Sequence, residues 1–288
     1  MNTILELMLV FAKGIAAGVA ISLGGFLFVG SKWGATKLNN VSGATSSTIR
    51  YDELGSLVGS ALFSVGLLLV CALKLMLYTG KIGLTFEMKQ PAFHYVSLLT
   101  MLIANVAAAY AVGYLINYLM NNSGVSEFIN IGTNVANGKL KLSTLSEYIK
   151  CSFQSIFCGS CVHLGVKCFN MFNGKWRGII ITIYSVLTFV YSGFQHCIAN
   201  SFYFGLANER RKEVLINVAI CVIGNSLGTI PIAMFTRTFR KLDSSDYSDS
   251  SYSISNIQFD TNNRERNRTH KHKHVDTESS SSNTETEA

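Results

Sequence analysis

Charge is scarce in this chain. Asp, Glu, Lys and Arg make up 14% of its 288 residues, against roughly 25% in an ordinary soluble domain. The charges sit in loops and a C-terminal tail, and 49% of the residues are hydrophobic. Long apolar runs of this kind exclude a soluble globular protein and predict an integral membrane protein in contact with the bilayer. Proline is nearly absent. Pro91 and Pro231 are the only two, and neither stands in an Asn-Pro-Ala turn, which counts against a water or glycerol facilitator. No glycine-rich nucleotide loop occurs, which counts against an ATP-driven pump. A membrane enzyme or haem protein would need paired intramembrane histidines or a nucleophile with its base. His163 and His196 are the only intramembrane pair. Neither a basic start nor a clear cleavage site marks the first residues, so Met1 to Val29 reads as a first span rather than a leader.

The net charge is +7. In a soluble protein this would suggest nucleic acid. Here the basic residues flank apolar segments, so anionic lipid heads or an anionic permeant are the expected partners, not nucleic acid. The seven cysteines, 71, 151, 158, 161, 168, 197 and 221, all lie in or beside apolar segments. Cys158-x-x-Cys161 has redox or metal-pair spacing, but within a membrane helix small packing residues are the expectation. No metal and no cofactor are expected.

Six spans emerge, near 10–30, 57–78, 95–119, 151–171, 178–206 and 214–236, each close to the ~20 residues a bilayer requires. The fifth is too long for one straight helix and carries Gly193. The loop 31–56 is rich in Ser, Thr, Gly and Asn, and a short amphipathic piece is expected around Leu140–Tyr148. A channel domain is thus expected over 1–241. The polar tail 242–288 cannot bury enough apolar surface to offset ordering entropy and is expected to be disordered. His270-Lys271-His272-Lys273-His274 within it reads as solvated charge rather than a metal site. Six spans put both termini on one side. The glycosylation-type triplets at Asn40 and Asn121 fall on the other side and favour cytosolic termini; the one at Asn267 argues the opposite way. Tail composition points to a eukaryotic microbe and hence a plasma membrane.

The chemistry concentrates in Gly193-Phe194-Gln195-His196-Cys197-Ile198-Ala199-Asn200. An ionisable histidine at membrane depth is a functional-site hypothesis by default. A glycine-linked break there must be surrounded by protein or a cavity. The second span ends in a comparable interruption, Leu77-Tyr78-Thr79-Gly80-Lys81. Asn105 in the third span and Gly224-Asn225 in the sixth extend the likeness between halves. Interrupted segments at matching places mark a midplane site. His163, with Lys167 one turn on, is a weaker candidate for a second proton site, since Lys167 fits snorkelling to the interface.

Taken together these patches resemble the formate/nitrite transporter family. Residues 193–200 are similar to its glycine-phenylalanine-glutamate-histidine…alanine-asparagine signature. Phe63 to Leu67 with Leu77 to Gly80 looks like its second helix and interrupting loop. Gly224-Asn225-x-x-Gly228 and Ala17-Gly18 through Gly24 resemble its last and first helices. The similarity covers about 12–238.

The resemblance implies an all-α, aquaporin-like bundle of six transmembrane helices, an inverted repeat with two interrupted helices, assembled as a homopentamer with one pore per protomer. It implies transport, not catalysis: formate, acetate or lactate crosses as a neutral acid with a proton. Nitrite, hydrosulfide or a neutral solute are the alternatives. His196 would be the central histidine, with Thr79, Asn200 and Gln195 around it. Phe63, Leu67 and Phe189 would form one apolar constriction, and Leu77, Tyr78 and Val162 the other. Lys81, Lys139 and Lys141 would attract the anion. The chain departs from the family at Gln195, where a glutamate is usual. It departs also at Met76, Lys81 and Gly159, where an acid, an asparagine and a pore-facing asparagine are common.

Overall fold

Backbone polar groups in lipid must find partners within the protein, and this chain provides them with helices. The computed structural model describes residues 3–42, 51–121, 123 and 125–242, and no strand occurs among them. Ten helices follow in order: α1 (Thr3–Ser42), α2 (Tyr51–Ala72), α3 (Tyr78–Lys81), α4 (Leu84–Glu87), α5 (Ala92–Asn121), α6 (Ser126–Lys139), α7 (Leu145–Met171), α8 (Trp176–Tyr191), α9 (Cys197–Leu206) and α10 (Lys212–Leu242). The all-α class agrees with the sequence reading. The chain divides into two units, Met1–Thr238 and Phe239–Ala288. The first contains everything described below. Of the second, only the helical turn to Leu242 is described, so the expected tail disorder, the Asn267 triplet and the histidine-lysine run lie outside the described residues.

Four helices, α1, α2, α5 and α10, are long and apolar enough to cross a membrane. Their outer faces agree with that: Leu99, Ile103 and Ile223 are exposed, as are Phe153 and Phe157 on α7. Exposed apolar surface on this scale marks a lipid or partner contact. Inside, α1 packs on α2 and α5, α5 on α9, α7 on α8, and α2 on α8. Every residue of α9 is buried, so this short helix lies inside the protein.

Three differences from the expected layout bear on the site. The first helix continues past residue 30 to Ser42. Along this polar end Thr36 donates back to the Lys32 carbonyl, 3.0 Å, and Lys37 stacks on Trp33 at 3.9 Å. The amphipathic helix of the 121–150 region is α6, Ser126–Lys139, not a piece at Leu140–Tyr148. There Thr144 and Glu147 make a reciprocal capping box that starts α7, a Thr-x-x-Glu signature that satisfies two orphan donors. The second span ends at Ala72 rather than 78.

That last ending has a counterpart in the other half. After α2 the chain turns at Lys74 (φ 51°), and after α8 at Gly193 (φ 69°). Leu75 N–H bonds the Val70 carbonyl and Lys74 N–H that of Cys71. Phe194 N–H bonds the Phe189 carbonyl and Gly193 N–H that of Val190. These are paired six-to-one and five-to-two closures around a left-handed residue. Gly193 takes that conformation without steric cost, whereas Lys74 must bear it. Each break then starts a new helix, α3 or α9, from a buried point.

Candidate central site and vestibule

The break after α8 delivers His196 in extended conformation (φ −113°, ψ 120°) as the N-cap of α9. Its Nδ1 accepts the Ala199 N–H at 3.1 Å. In a neutral ring the proton therefore lies on Nε2, an assignment read from the bonding network. Nε2 faces Thr79 Oγ1 at 3.0 Å, so the ring donates and the hydroxyl accepts. His196 is 2% exposed and Thr79 fully buried. The two breaks thus meet through one hydrogen bond.

Asn225 holds the break in place. Its Oδ1 accepts the Cys197 N–H at 3.0 Å, and its Nδ2 donates to the carbonyls of Gln195, 2.9 Å, and Ser155, 2.8 Å. Gly159 belongs to the same contact. A Cβ there would collide with the Asn225 carbonyl, so the asparagine expected from the family has no room, and Gly159 is a close-packing residue.

A cavity of about 700 Å³ reaches down to His196. Phe63, Phe189, Asn200, Gln195 and Lys139 line it, and Lys141 stands on its wall. Phe189 and His196 rings lie 5.8 Å apart, tilted 35°, and Phe63 meets Phe189 edge-on at 5.9 Å. Asn200 ties the wall together. Its Nδ2 donates to Gln195 Oε1, 2.7 Å, and Asn217 Oδ1, 3.0 Å. Gln195 Nε2 donates to Gln154 Oε1 at 3.3 Å. An uncharged amide network therefore stands where a glutamate was the family expectation. Lys139 Nζ donates to the Phe194 carbonyl at 3.1 Å. Asn200 Oδ1 is buried and has no hydrogen-bond partner among the described residues.

The remaining expected residues do not line this cavity. Leu67, Leu77, Tyr78 and Val162 are buried elsewhere in the bundle, with the Tyr78 hydroxyl 2.9 Å from that of Ser226. Lys81 is likewise not among the lining residues. Sequence reading missed Lys32 and Lys150, which join Lys139 and Lys141 around the vestibule, and Asp52 and Glu147, which temper them. It also missed Glu87, which is 4% exposed and pairs with Lys167 Nζ at 2.6 Å. A carboxylate inside Leu84-Thr85-Phe86-Glu87-Met88 was the available signal. The start of α2 (Asp52, Ser56) and the end of α8 (Phe189 to Tyr191) both line the cavity. One broken helix therefore runs away from the vestibule and the other toward it, as an inverted repeat requires.

Comparison with known proteins agrees with this geometry. A family model described as formate/nitrite transporter matches residues 2–211. Among solved structures the fold is similar to one described as "Pentameric formate channel with formate bound". The TM-score is 0.59 at 17% identity, with 83% of this chain and 97% of that chain covered. A second, described as "FNT family ion channel", gives a TM-score of 0.52 at 15% identity, covering 83% and 98%. At such identities the structural likeness carries the fold alone. No curated protein sequence matches the chain. With a family model spanning most of its length and apolar helices of membrane-crossing size, this chain belongs to the formate/nitrite transporter family of integral membrane proteins.

Proposed function

We propose that the protein transports small monocarboxylic acids of the formate, acetate and lactate class, each crossing as the neutral acid together with a proton. The observation that carries this reading is an uncharged bottleneck. Behind a vestibule with four lysines, the cavity ends at Phe63, Phe189 and His196, whose ring nitrogens are both engaged. A bare carboxylate entering such surroundings costs far too much by Born estimates, so it neutralises instead. Desolvation raises the permeant's own pKa, because the charged form is disfavoured.

Asn200, on the wall of the same cavity, adds no charge to it and ties Gln195 to Asn217. The Thr79 hydroxyl, accepting from His196, keeps its own proton for the acid's carbonyl. Phe63, Leu67 and Phe189 would form the barrier on the vestibule side, and Leu77, Tyr78 and Val162 the second narrowing. Vestibule lysines, with Lys81 at the other mouth, would raise the local anion concentration. The solved structure described as a pentameric formate channel supports a homopentamer, and each protomer would hold its own path, since the cavity is lined within one chain. Six crossings, with the broken helices counted once each, would place both termini in the cytosol of a plasma membrane and the vestibule outside.

Uptake of formate, acetate and lactate into proteoliposomes, with and without an inward proton gradient, tests the proposal. Uptake should accelerate on the acid side, and His196→Phe should abolish it. Rates indifferent to pH, or glycerol flux with no acid flux, would sink it.

A further inference from the structure

Three titratable side chains lie buried together outside the central site. Glu87 closes α4. Its Oε2 accepts from Lys167 Nζ at 2.6 Å, and its Oε1 lies 3.4 Å from His163 Nε2. Side-chain exposure is 0% for Glu87, 8% for Lys167 and 3% for His163. His163 and Lys167 sit one turn apart on α7, and the His163 ring packs so closely on Gly83 that a Cβ there would collide with it.

A buried ion pair is a poor way merely to stabilise helices. Its desolvation cost commonly matches the Coulomb gain, and apolar side chains of equal volume do as well. Ionisable residues within membrane segments instead point to function.

The backbone indicates which function. Short-range backbone hydrogen bonds link Tyr78 to Met88 across the turn at Ile82–Gly83: Ile82 N–H to the Tyr78 carbonyl, Thr85 to Ile82, Glu87 to Gly83 and Met88 to Leu84. So α3 and α4 form one short, locally bonded segment. Leu77, Tyr78 and Thr79 stand at its buried end and Glu87 at the other. The buried end is pinned by neutral hydrogen bonds: Asn105 Oδ1 accepts the Tyr78 N–H at 2.8 Å. The Glu87 end is pinned by charge to α7, the helix that carries Val162.

We infer that Glu87, Lys167 and His163 are positioning residues that latch the returning segment 78–87 onto α7, and thereby set the width of the narrowing formed by Leu77, Tyr78 and Val162 and the largest acid that passes. The inference rests on the proposed role of those three side chains in lining the path.

Two measurements on the full reconstituted chain test it: amide hydrogen exchange of residues 78–88, and the ratio of lactate to formate uptake. Glu87→Gln and Lys167→Met should each speed exchange in this segment at least about tenfold while α1, α5 and α10 keep their protection. Each should also raise the lactate-to-formate ratio several-fold. The charge-swapped double variant Glu87→Lys/Lys167→Glu should restore both. Unchanged exchange in either single variant, loosening spread evenly over the bundle, or a swap no better than the singles would overturn the latch. Should Glu87→Gln fail to reach the membrane, Lys167→Met and the swap carry the same comparison. If the wild type carries no carboxylic acid at all, the transport reading fails. The exchange measurement then decides the latch by itself.

Discussion

Asn105 on α5 and Asn225 on α10 hold the two chain breaks with the same three bonds. Asn105 accepts the Tyr78 N–H and donates to the Met76 carbonyl, 2.9 Å, and to Gly14 of α1, 2.8 Å. Asn225 accepts the Cys197 N–H and donates to the Gln195 carbonyl and to Ser155 of α7. In both, one amide satisfies the carbonyl two residues before the new helix, its first N–H, and a neighbouring helix. Buried backbone polar groups without such partners are costly, so each asparagine licenses the irregular backbone beside it.

Replacing either asparagine by leucine should therefore be severe. Three buried groups lose their partner at roughly 1–3 kcal/mol each. A loss of at least about 3 kcal/mol is expected for Asn105→Leu and Asn225→Leu alike. Thermal unfolding in detergent checks it: both midpoints should fall, and by similar amounts. A drop confined to one half would break the equivalence.

Thr79→Val keeps the shape and removes the hydroxyl. The His196 Nε2–H is then left without its acceptor, at a cost of about 1–3 kcal/mol, and the ring is no longer aimed by a bond from each side. Formate uptake should fall about tenfold or more. Thr79→Ser should recover most of it. Comparing the two in proteoliposomes separates the hydroxyl from the packing of the methyl group.

On the proposed role of the vestibule lysines, attraction of the anion acts at a distance, so their effect should depend on salt. Lys141→Gln combined with Lys150→Gln should raise the half-saturation concentration roughly twofold to tenfold at low ionic strength. In 0.5 M salt, where the screening length is only about 4–5 Å, the difference should shrink toward nothing. A salt-independent defect would mean that these residues shape the mouth rather than charge it.

Glu147 predicts a pH dependence at the start of α7. The backbone N–H groups of Ser143 and Thr144 donate to its carboxylate, 2.7 and 3.0 Å, and hold it below the usual carboxylate range. A carboxyl depressed on folding contributes stability above its unfolded value and loses it as pH falls through its folded one. The Ser143 and Thr144 amide signals should therefore shift toward unbonded positions as pH drops through the acidic range. In Glu147→Gln they should stay flat with pH. Titration by NMR of the labelled protein reads this directly.

Much of this arrangement was legible in the chain. Gly193 before a polar run marked a break in the fifth span, and His196 inside an apolar stretch marked the costly group. These signals are local, carried by neighbours in sequence. The hydropathy of α1, α2, α5 and α10 is likewise additive along each helix. The start of α7 was equally local, in Thr144-x-x-Glu147, but lay within a polar stretch where an amphipathic piece was expected instead.

By itself, then, the sequence determined a helical membrane protein with two breaks and a lone imidazole at one of them. Only the tertiary structure decided that Asn105 and Asn225 each close one of the breaks, that Lys32 and Lys150 share the vestibule, and that Glu87 pairs with Lys167. Those partners lie on different helices. Their meeting depends on how helices cross and where a glycine lets two backbones approach, which no periodicity along one helix records. An apolar pattern says which face is buried; packing alone says against what.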